Sequence, residues 1–341
     1  MSLSLEARFE KYCDRIVAAL MHADREQPAR WYIKGLMLPG GRKSVEPMAA
    51  RVEPQQVRSA HQSMHHLVAE APWSDEALLS AVAESVLPKL MGEGAAVHWI
   101  IDDTGLPKKG KHSVGVAHQY CGQTGKPDSC RVAVSLSIAT AHGSLPVGWG
   151  EHQPRPAPEP RRRVGRPRQR LQRDTHHPPI SVAEVARALP ARQWRSVTWR
   201  QGVAGALKSR FARVRVRAAH RDQPRDEEWL IIEWPHGAEE PAHYGFSNLP
   251  KNTPRQPLID TVMGRWRIER EYEELKQELG LGHYEGRNWR GFHHHASLCI
   301  AAYGFLMLER LAGSKKKPAR FKTSALPPGF RPRGAGTHAP S

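Results

Sequence analysis

Over the first 93 residues the apolar positions follow helical rather than strand periodicity. Leu5 to Leu20 and Gln55 to Ala69 carry apolar residues at mixed three- and four-residue spacings, and Leu78, Val82, Val86 and Leu90 recur every four within Ser74–Leu90. Ser74 before Asp75 and Glu76 is a candidate N-cap. A Pro-Gly-Gly turn at Pro39–Gly41 interrupts these helices, with Arg42 and Lys43 beside it as either a DNA-facing element or a solvated turn. From Ala95 the pattern changes. AVHWIIDDTG (Ala95–Gly105), SVGVAHQY (Ser113–Tyr120) and RVAVSLSIAT (Arg131–Thr140) read as three adjacent strands, antiparallel because the connections are short.

Periodicity then stops. Glu151–Ile180 holds eight arginines and seven prolines but only four hydrophobic residues, so it predicts a linker that is extended or disordered. Its arginine run suits a minor groove or a phosphate backbone as well as it suits a solvated loop. Beyond it come a short helix (Val182–Leu189) and strands at Trp194–Arg200, Ala212–His220 and Glu228–Trp234. The middle strand alternates arginine with valine or alanine, which predicts a strongly positive face. A long helix over about Pro257–Leu279 and a more apolar one over Gly291–Leu311 follow. The tail from Lys315 has seven basic residues and no acidic one, and reads as disordered.

Charge narrows the function classes. Across 341 residues, Lys and Arg total 51 against 34 Asp and Glu, a formal net charge of +17. That balance favours nucleic acid or another polyanion as partner. The four cysteines (Cys13, Cys121, Cys130, Cys299) form no Cys-x-x-Cys pair, which argues against a disulfide scaffold or a zinc ribbon. No apolar run reaches the ~18 residues of a membrane span, and the opening MSLSLEARFEKYCDR lacks a signal peptide's apolar segment. The expectation is a soluble, basic, cytoplasmic protein.

Two segments carry candidate chemistry. Asp102-Asp103-Thr104 ends a strand, where a carboxylate suits a hard divalent cation, and paired metals held so can cleave phosphodiesters. The same residues also describe an ordinary Asp-Thr-Gly turn. Lys108, Lys109 and Lys111 follow directly. On a helix through Gly264–Gly280, Ile268, Tyr272, Leu275 and Leu279 fall within about 40° and predict the buried stripe. Arg265, Glu269 and Lys276 lie along one margin at roughly 60° to 100°, with Glu271, Glu274 and Glu278 on the other flank. Glu269 is therefore the glutamate expected to sit half-buried, bracketed by two cations that could hold phosphate, although the same spacing describes an ordinary amphipathic helix with charge pairs at its boundary. His293–His295 cannot converge on one ion, because adjacent helical residues point about 100° apart. Cys121 and Cys130 are expected to flank a hairpin. Walker-type and dinucleotide-binding glycine loops are absent, as is Gly-x-Ser-x-Gly.

Several long blocks, in order, resemble the DDE transposases of bacterial insertion sequences, in the branch with a Tyr-Arg-Glu-Lys signature. They are Gly35–Val52, His61–Leu79, Trp99–Thr140 and Arg265–Leu306. The resemblance implies an α+β fold: a ribonuclease-H-like mixed-sheet core behind a helical N-terminal region, with a β-rich insertion. It also implies carboxylates that bind Mg²⁺ or Mn²⁺ to cut and rejoin double-stranded DNA at element ends and target. The first carboxylate falls on Asp103 and the third on Glu269, both metal ligands by this likeness. Arg265 and Lys276 fill the signature's arginine and lysine positions, whereas Val262 stands where the signature has tyrosine. Arg265, Lys276, Lys108 and Lys109 are the expected DNA contacts, with a homodimer on DNA and nucleoid association as further expectations.

The family's second aspartate ends a strand in an Asp-Ala-Gly-Tyr-Gly-like segment, and this sequence has none. Leu145–Gly150 begins like the family's continuation and passes into the Arg/Pro linker, whose Gly165–Asp174 resembles a stretch normally found well after that aspartate. An internal deletion fits both observations, and Asp174 in its charged, proline-flanked run is a poor substitute. The expected organisation is a helical DNA-binding region over 1–93, the first part of an incomplete core over 94–150, and the linker over 151–180. The β-rich insertion over 181–250, the core's C-terminal helices over 251–312 and a basic tail over 313–341 complete it. Two functions remain: a transposase whose cleavage is impaired, or a non-catalytic DNA-binding remnant of one.

Overall fold

The computed structural model describes residues 3–92, 97–108, 110, 112–151, 170–171, 180–202, 205–220, 223–264 and 266–313. The linker, the basic tail, Lys109, Lys111, Asp174 and Arg265 thus lie largely or wholly outside the described residues. In chain order the elements are α1 (Leu5–Ala18), α2 (Ala23–Met37), α3 (Val45–Val52), α4 (Val57–Ala69), α5 (Asp75–Met91), β1 (His98–Pro107), β2 (Val116–Cys121), β3 (Lys126–Thr140) and β4 (Gly143–Glu151). Then come β5 (Arg170–Leu171), β6 (Ile180–Ser181), α6 (Val182–Ala188), β7 (Arg195–Gly202), β8 (Gly205–His220), β9 (Gln223–Pro235), β10 (His243–Ser247), α7 (Arg255–Met263), α8 (Trp266–Gln277) and α9 (Trp289–Ala312). The architecture is mixed α+β. It divides into two compact units, Met1–Gln153 with Arg270–Ser341, and Pro154–Glu269.

In the first unit the N-terminal helices surround α9. Ser74 caps α5 by accepting the Ala77 N–H at 3.1 Å, and the four-residue repeat Leu78, Val82, Val86, Leu90 is buried. Helix α9 is buried almost all round from Gly291 to Phe305, as its continuous apolar run requires. The Tyr12 hydroxyl donates to the Ala301 carbonyl at 2.7 Å, and Phe9 meets Phe305 edge-on at 5.3 Å between centroids. A Cβ at Gly304 would lie 2.8 Å from the Tyr12 hydroxyl and 2.9 Å from Val82 Cγ1, so this close helix approach needs glycine.

The sheet of this unit turns on β3. Along one edge of β3 runs β1, from His98↔Ala139 to Pro107↔Cys130. The other edge is shared by β2 near Lys126–Arg131 and β4 near Ala133–Thr140, all antiparallel. Strand β1 therefore ends the sheet, and among the described residues its second edge is paired with no strand. Directly opposed residues share a face. Asp102, Ser135, Ser137 and Ala139 face one way, and Trp99, Ile101, Asp103, Val134 and Leu136 face the other. The first face is covered: Ser135 Oγ lies 2.5 Å from the Tyr272 hydroxyl of α8, and Arg131 stacks on Phe292 of α9 at 4.2 Å. On the second face Trp99 and Ile101 are 68% and 73% exposed.

The second unit is built on a six-stranded antiparallel sheet, β10-β9-β8-β5-β6 with β7 also paired to β8. Alternate residues of β9 bury against opposite layers. Leu230 and Ile232 pack with Val182 and Ala186 of α6, and Trp229 and Ile231 pack with Leu258 and Ile259 of α7. The arginine-rich strand β8 is less open than its alternation predicts. Arg213 and Arg215 lie over the Trp229 ring at 4.9 and 5.1 Å, and Arg215 pairs with Glu227 at 3.3 Å.

The single long helix expected over Pro257–Leu279 is two helices, α7 and α8, with Gly264 as the C-cap of the first. The break separates two hydrophobic faces, that of Leu258 and Ile259 in the second unit and that of Tyr272 and Leu275 in the first.

Candidate active site

Consecutive residues of a strand point to opposite faces, and that alternation governs what β1 can do. Asp103 is exposed, on the face of Trp99 and Ile101. Asp102 is half-buried and opposes Ser135, on the face covered by α8. Its charge reaches both Tyr272 and Lys276. Burial pushes the Tyr272 phenol well above its ordinary range, the Ser135 hydrogen bond opposes this, and the charges of Glu271, Asp102 and Asp103 add to it. Burial likewise lowers the Lys276 ammonium, with Cys121 and Asp102 pulling the other way. Lys276 Nζ donates to the Gly105 carbonyl at 3.3 Å. The lysine of the signature is thus brought to the carboxylate end of β1.

The other expected residues fare differently. Glu269, read as half-buried, is exposed on the first turn of α8 and is the last residue of the second unit. The buried stripe itself is as expected, with Ile268, Tyr272, Leu275 and Leu279 all enclosed. Arg265 and Lys109 lie outside the described residues. Lys108 is half-buried, its Nζ donating to the Tyr284 carbonyl. Val262, in the tyrosine position, is a packing residue against Gly245, where a Cβ would stand 2.4 Å from Val262 Cγ1. The three consecutive histidines point apart: His293 Nδ1 lies 3.1 Å from Asp75, His294 lies between the Val68 and Trp73 carbonyls, and His295 Nδ1 lies 2.8 Å from the Tyr32 hydroxyl. Cys121 and Cys130 sit on the paired strands β2 and β3, buried and unlinked.

One carboxylate is more deeply enclosed than helical spacing predicts. Glu271, on the flank of the stripe opposite Glu269, is 1% exposed. Its Oε1 accepts from the Ser137 hydroxyl at 3.0 Å, and the neighbouring Ser144 also favours its charged form. Burial raises its pKa to about 8 against that hydrogen bonding. The signal was in β3, where VSLS places serines at every second position and so gives the covered face hydroxyls rather than methyls.

A hard divalent cation takes oxygen ligands that converge on one point. Asp102 and Asp103 leave β1 on opposite sides and cannot share an ion, and Glu271 is a protonated, serine-bonded acid rather than an anionic ligand. Among the described residues no group of three or more His, Cys, Asp or Glu is arranged to hold a metal. Among the described residues, the donor set of the first unit does not fit a two-metal cleavage site.

Comparison with known proteins gives this geometry its context. Residues 15–151 match the family described as DDE superfamily endonuclease. The chain is also 34% identical over 94 residues to a protein named as a probable transposase for insertion sequence element IS701, from Microchaete diplosiphon. That alignment takes in 28% of this chain and 24% of the relative, so it spans about a quarter of the relative's length.

Proposed function

For a chain that carries DDE superfamily endonuclease sequence over residues 15–151 and is related to insertion-sequence transposases, we propose a DNA-binding transposase whose strand-cleaving site is impaired. The observation that carries this reading is the setting of Asp103. Among the described residues it stands on a strand with one paired edge, on the face where Trp99 and Ile101 are exposed, while the half-buried carboxylate beside it points the opposite way. In this reading the sheet is a ribonuclease-H-like core that has lost the strand bearing the second aspartate and the layer over Trp99 and Ile101.

Mg²⁺ or Mn²⁺, when bound to a complete carboxylate set, would activate water and stabilise the leaving oxygen. The resemblance alone assigns Asp103 and Glu269 to such a set, and losing one anionic ligand of three weakens that hold. What this chain's residues do without it is bind. The net charge of +17, with Lys108 and Lys276 at the end of β1, favours the phosphate backbone through counterion release. A non-catalytic remnant that competes with an intact transposase for element ends is the second reading, favoured by the missing aspartate segment.

The test is a titration of labelled duplex from the DNA flanking the protein's own coding region, repeated over a series of salt concentrations. Binding that weakens linearly in log–log form supports the proposal. Absence of binding at low salt overturns it.

A further inference from the structure

We propose that Arg42, Lys43, Lys108 and His283 form a binding site for a phosphate of a DNA backbone, a site that rests on the DNA-binding reading above. Three segments far apart in sequence build it: the loop after α2, the residue following β1, and the short turn Leu281–His283 after α8. The Lys43 N–H donates to His283 Nδ1 at 3.2 Å. Gly280, at φ +69°, lets the two loops touch, since a Cβ there would lie 2.5 Å from Lys43 Cβ. Lys108 closes the third side through its bond to the Tyr284 carbonyl.

The donors left over are those a phosphate needs. Because His283 Nδ1 accepts from the Lys43 N–H, a neutral ring carries its proton on Nε2, which is then a donor. Lys43 and Lys108 each give an ammonium hydrogen to a carbonyl, Leu38 and Tyr284, and keep others. Arg42 is paired with Glu285, but both side chains are about two-thirds exposed, so a phosphate can displace the carboxylate. Lys43 is buried and supplies charge from beneath, while the exposed Arg42 and half-exposed Lys108 and His283 form the rim.

The electrostatics point the same way. Burial and then Arg51 lower Lys43 to about 8, against Glu278 and Cys299. Burial lowers His283, and Lys43, Arg42 and Lys108 lower it further, with Glu285 alone opposing. Lys108 is lowered by burial and Arg131, again against Glu285. Like charges held this close with Glu285 and Glu278 as counter-charges are relieved by an arriving anion. Lys108 lies five residues past Asp103, about 16 Å along the strand direction.

The test uses the full chain and anisotropy of a short labelled duplex of mixed sequence. Arg42→Ala combined with Lys108→Gln is expected to bind about tenfold more weakly at about 50 mM salt, with a log–log salt slope shallower by about one. Arg15→Ala combined with Lys89→Gln removes the same charge from exposed positions elsewhere and is expected to stay within about twofold. Unchanged thermal unfolding certifies each variant, and His283→Gln replaces the Arg42/Lys108 pair if that pair unfolds. Equal losses in the two pairs, or none in the first, overturn the site and leave the functional reading standing. No duplex binding by the unaltered chain overturns both.

Discussion

Glu271 of α8 accepts a hydrogen bond from Ser137 of β3 at 3.0 Å, inside the interface that joins helix to sheet. A carboxyl this deeply enclosed holds its proton, with a pKa near 8 set first by burial. The folded state therefore binds more protons than the unfolded chain between the ordinary value of 4.5 and about 8. This contribution to stability is fully present below about 4.5 and is lost as pH rises through about 8. Glu271→Gln keeps the amide's hydrogen-bonding capacity and removes the titration. Relative to the unaltered chain, its Tm is expected to gain steadily from pH 5 to pH 8, equivalent to about 2–5 kcal/mol at the upper end. A gap that does not change with pH means that Glu271 is ionised in the fold.

His294 ties α9 to the turn between α4 and α5. Its ring stacks on Trp73 at 3.6 Å between centroids, and its two nitrogens each lie 3.0 Å from a carbonyl oxygen, of Val68 and of Trp73. His294→Ala leaves the carbonyl that accepts the ring N–H without this partner and opens space beside the indole. The expected cost is about 2–4 kcal/mol, read from the urea midpoint. A loss below about 0.5 kcal/mol, the range of surface substitutions, contradicts the packing described.

Trp99 and Ile101 lie exposed on a sheet-end strand, the arrangement expected to associate edge to edge or face to face. Trp99→Lys and Ile101→Lys are expected to raise the concentration at which light scattering reports association, and to change unfolding free energy by less than about 1 kcal/mol. If either substitution unfolds the chain, that face is packed and the sheet is complete.

Local physics made much of this legible. The repeat from Leu78 to Leu90, the cap at Ser74, the three antiparallel strands and the stripe from Ile268 to Leu279 follow from periodicity and capping, which act within a few residues. What escaped depends on what a surface packs against. Glu271 went unrecognised because a helical wheel cannot know that the opposing strand offers hydroxyls. The break at Gly264 was hidden because α7 and α8 share one helical pattern while burying their faces in different units. Asp102 and Asp103 form one motif in the sequence, yet strand alternation alone divides them between two faces.

The central claim is most directly tested with purified chain and supercoiled plasmid carrying the DNA that flanks its own coding region, in Mg²⁺ or Mn²⁺. Asp103→Ala and Glu269→Ala run in parallel. Salt-sensitive binding of the plasmid is expected, with no metal-dependent nicking above that of the two variants. Metal-dependent nicking by the unaltered chain that both substitutions abolish would contradict that claim.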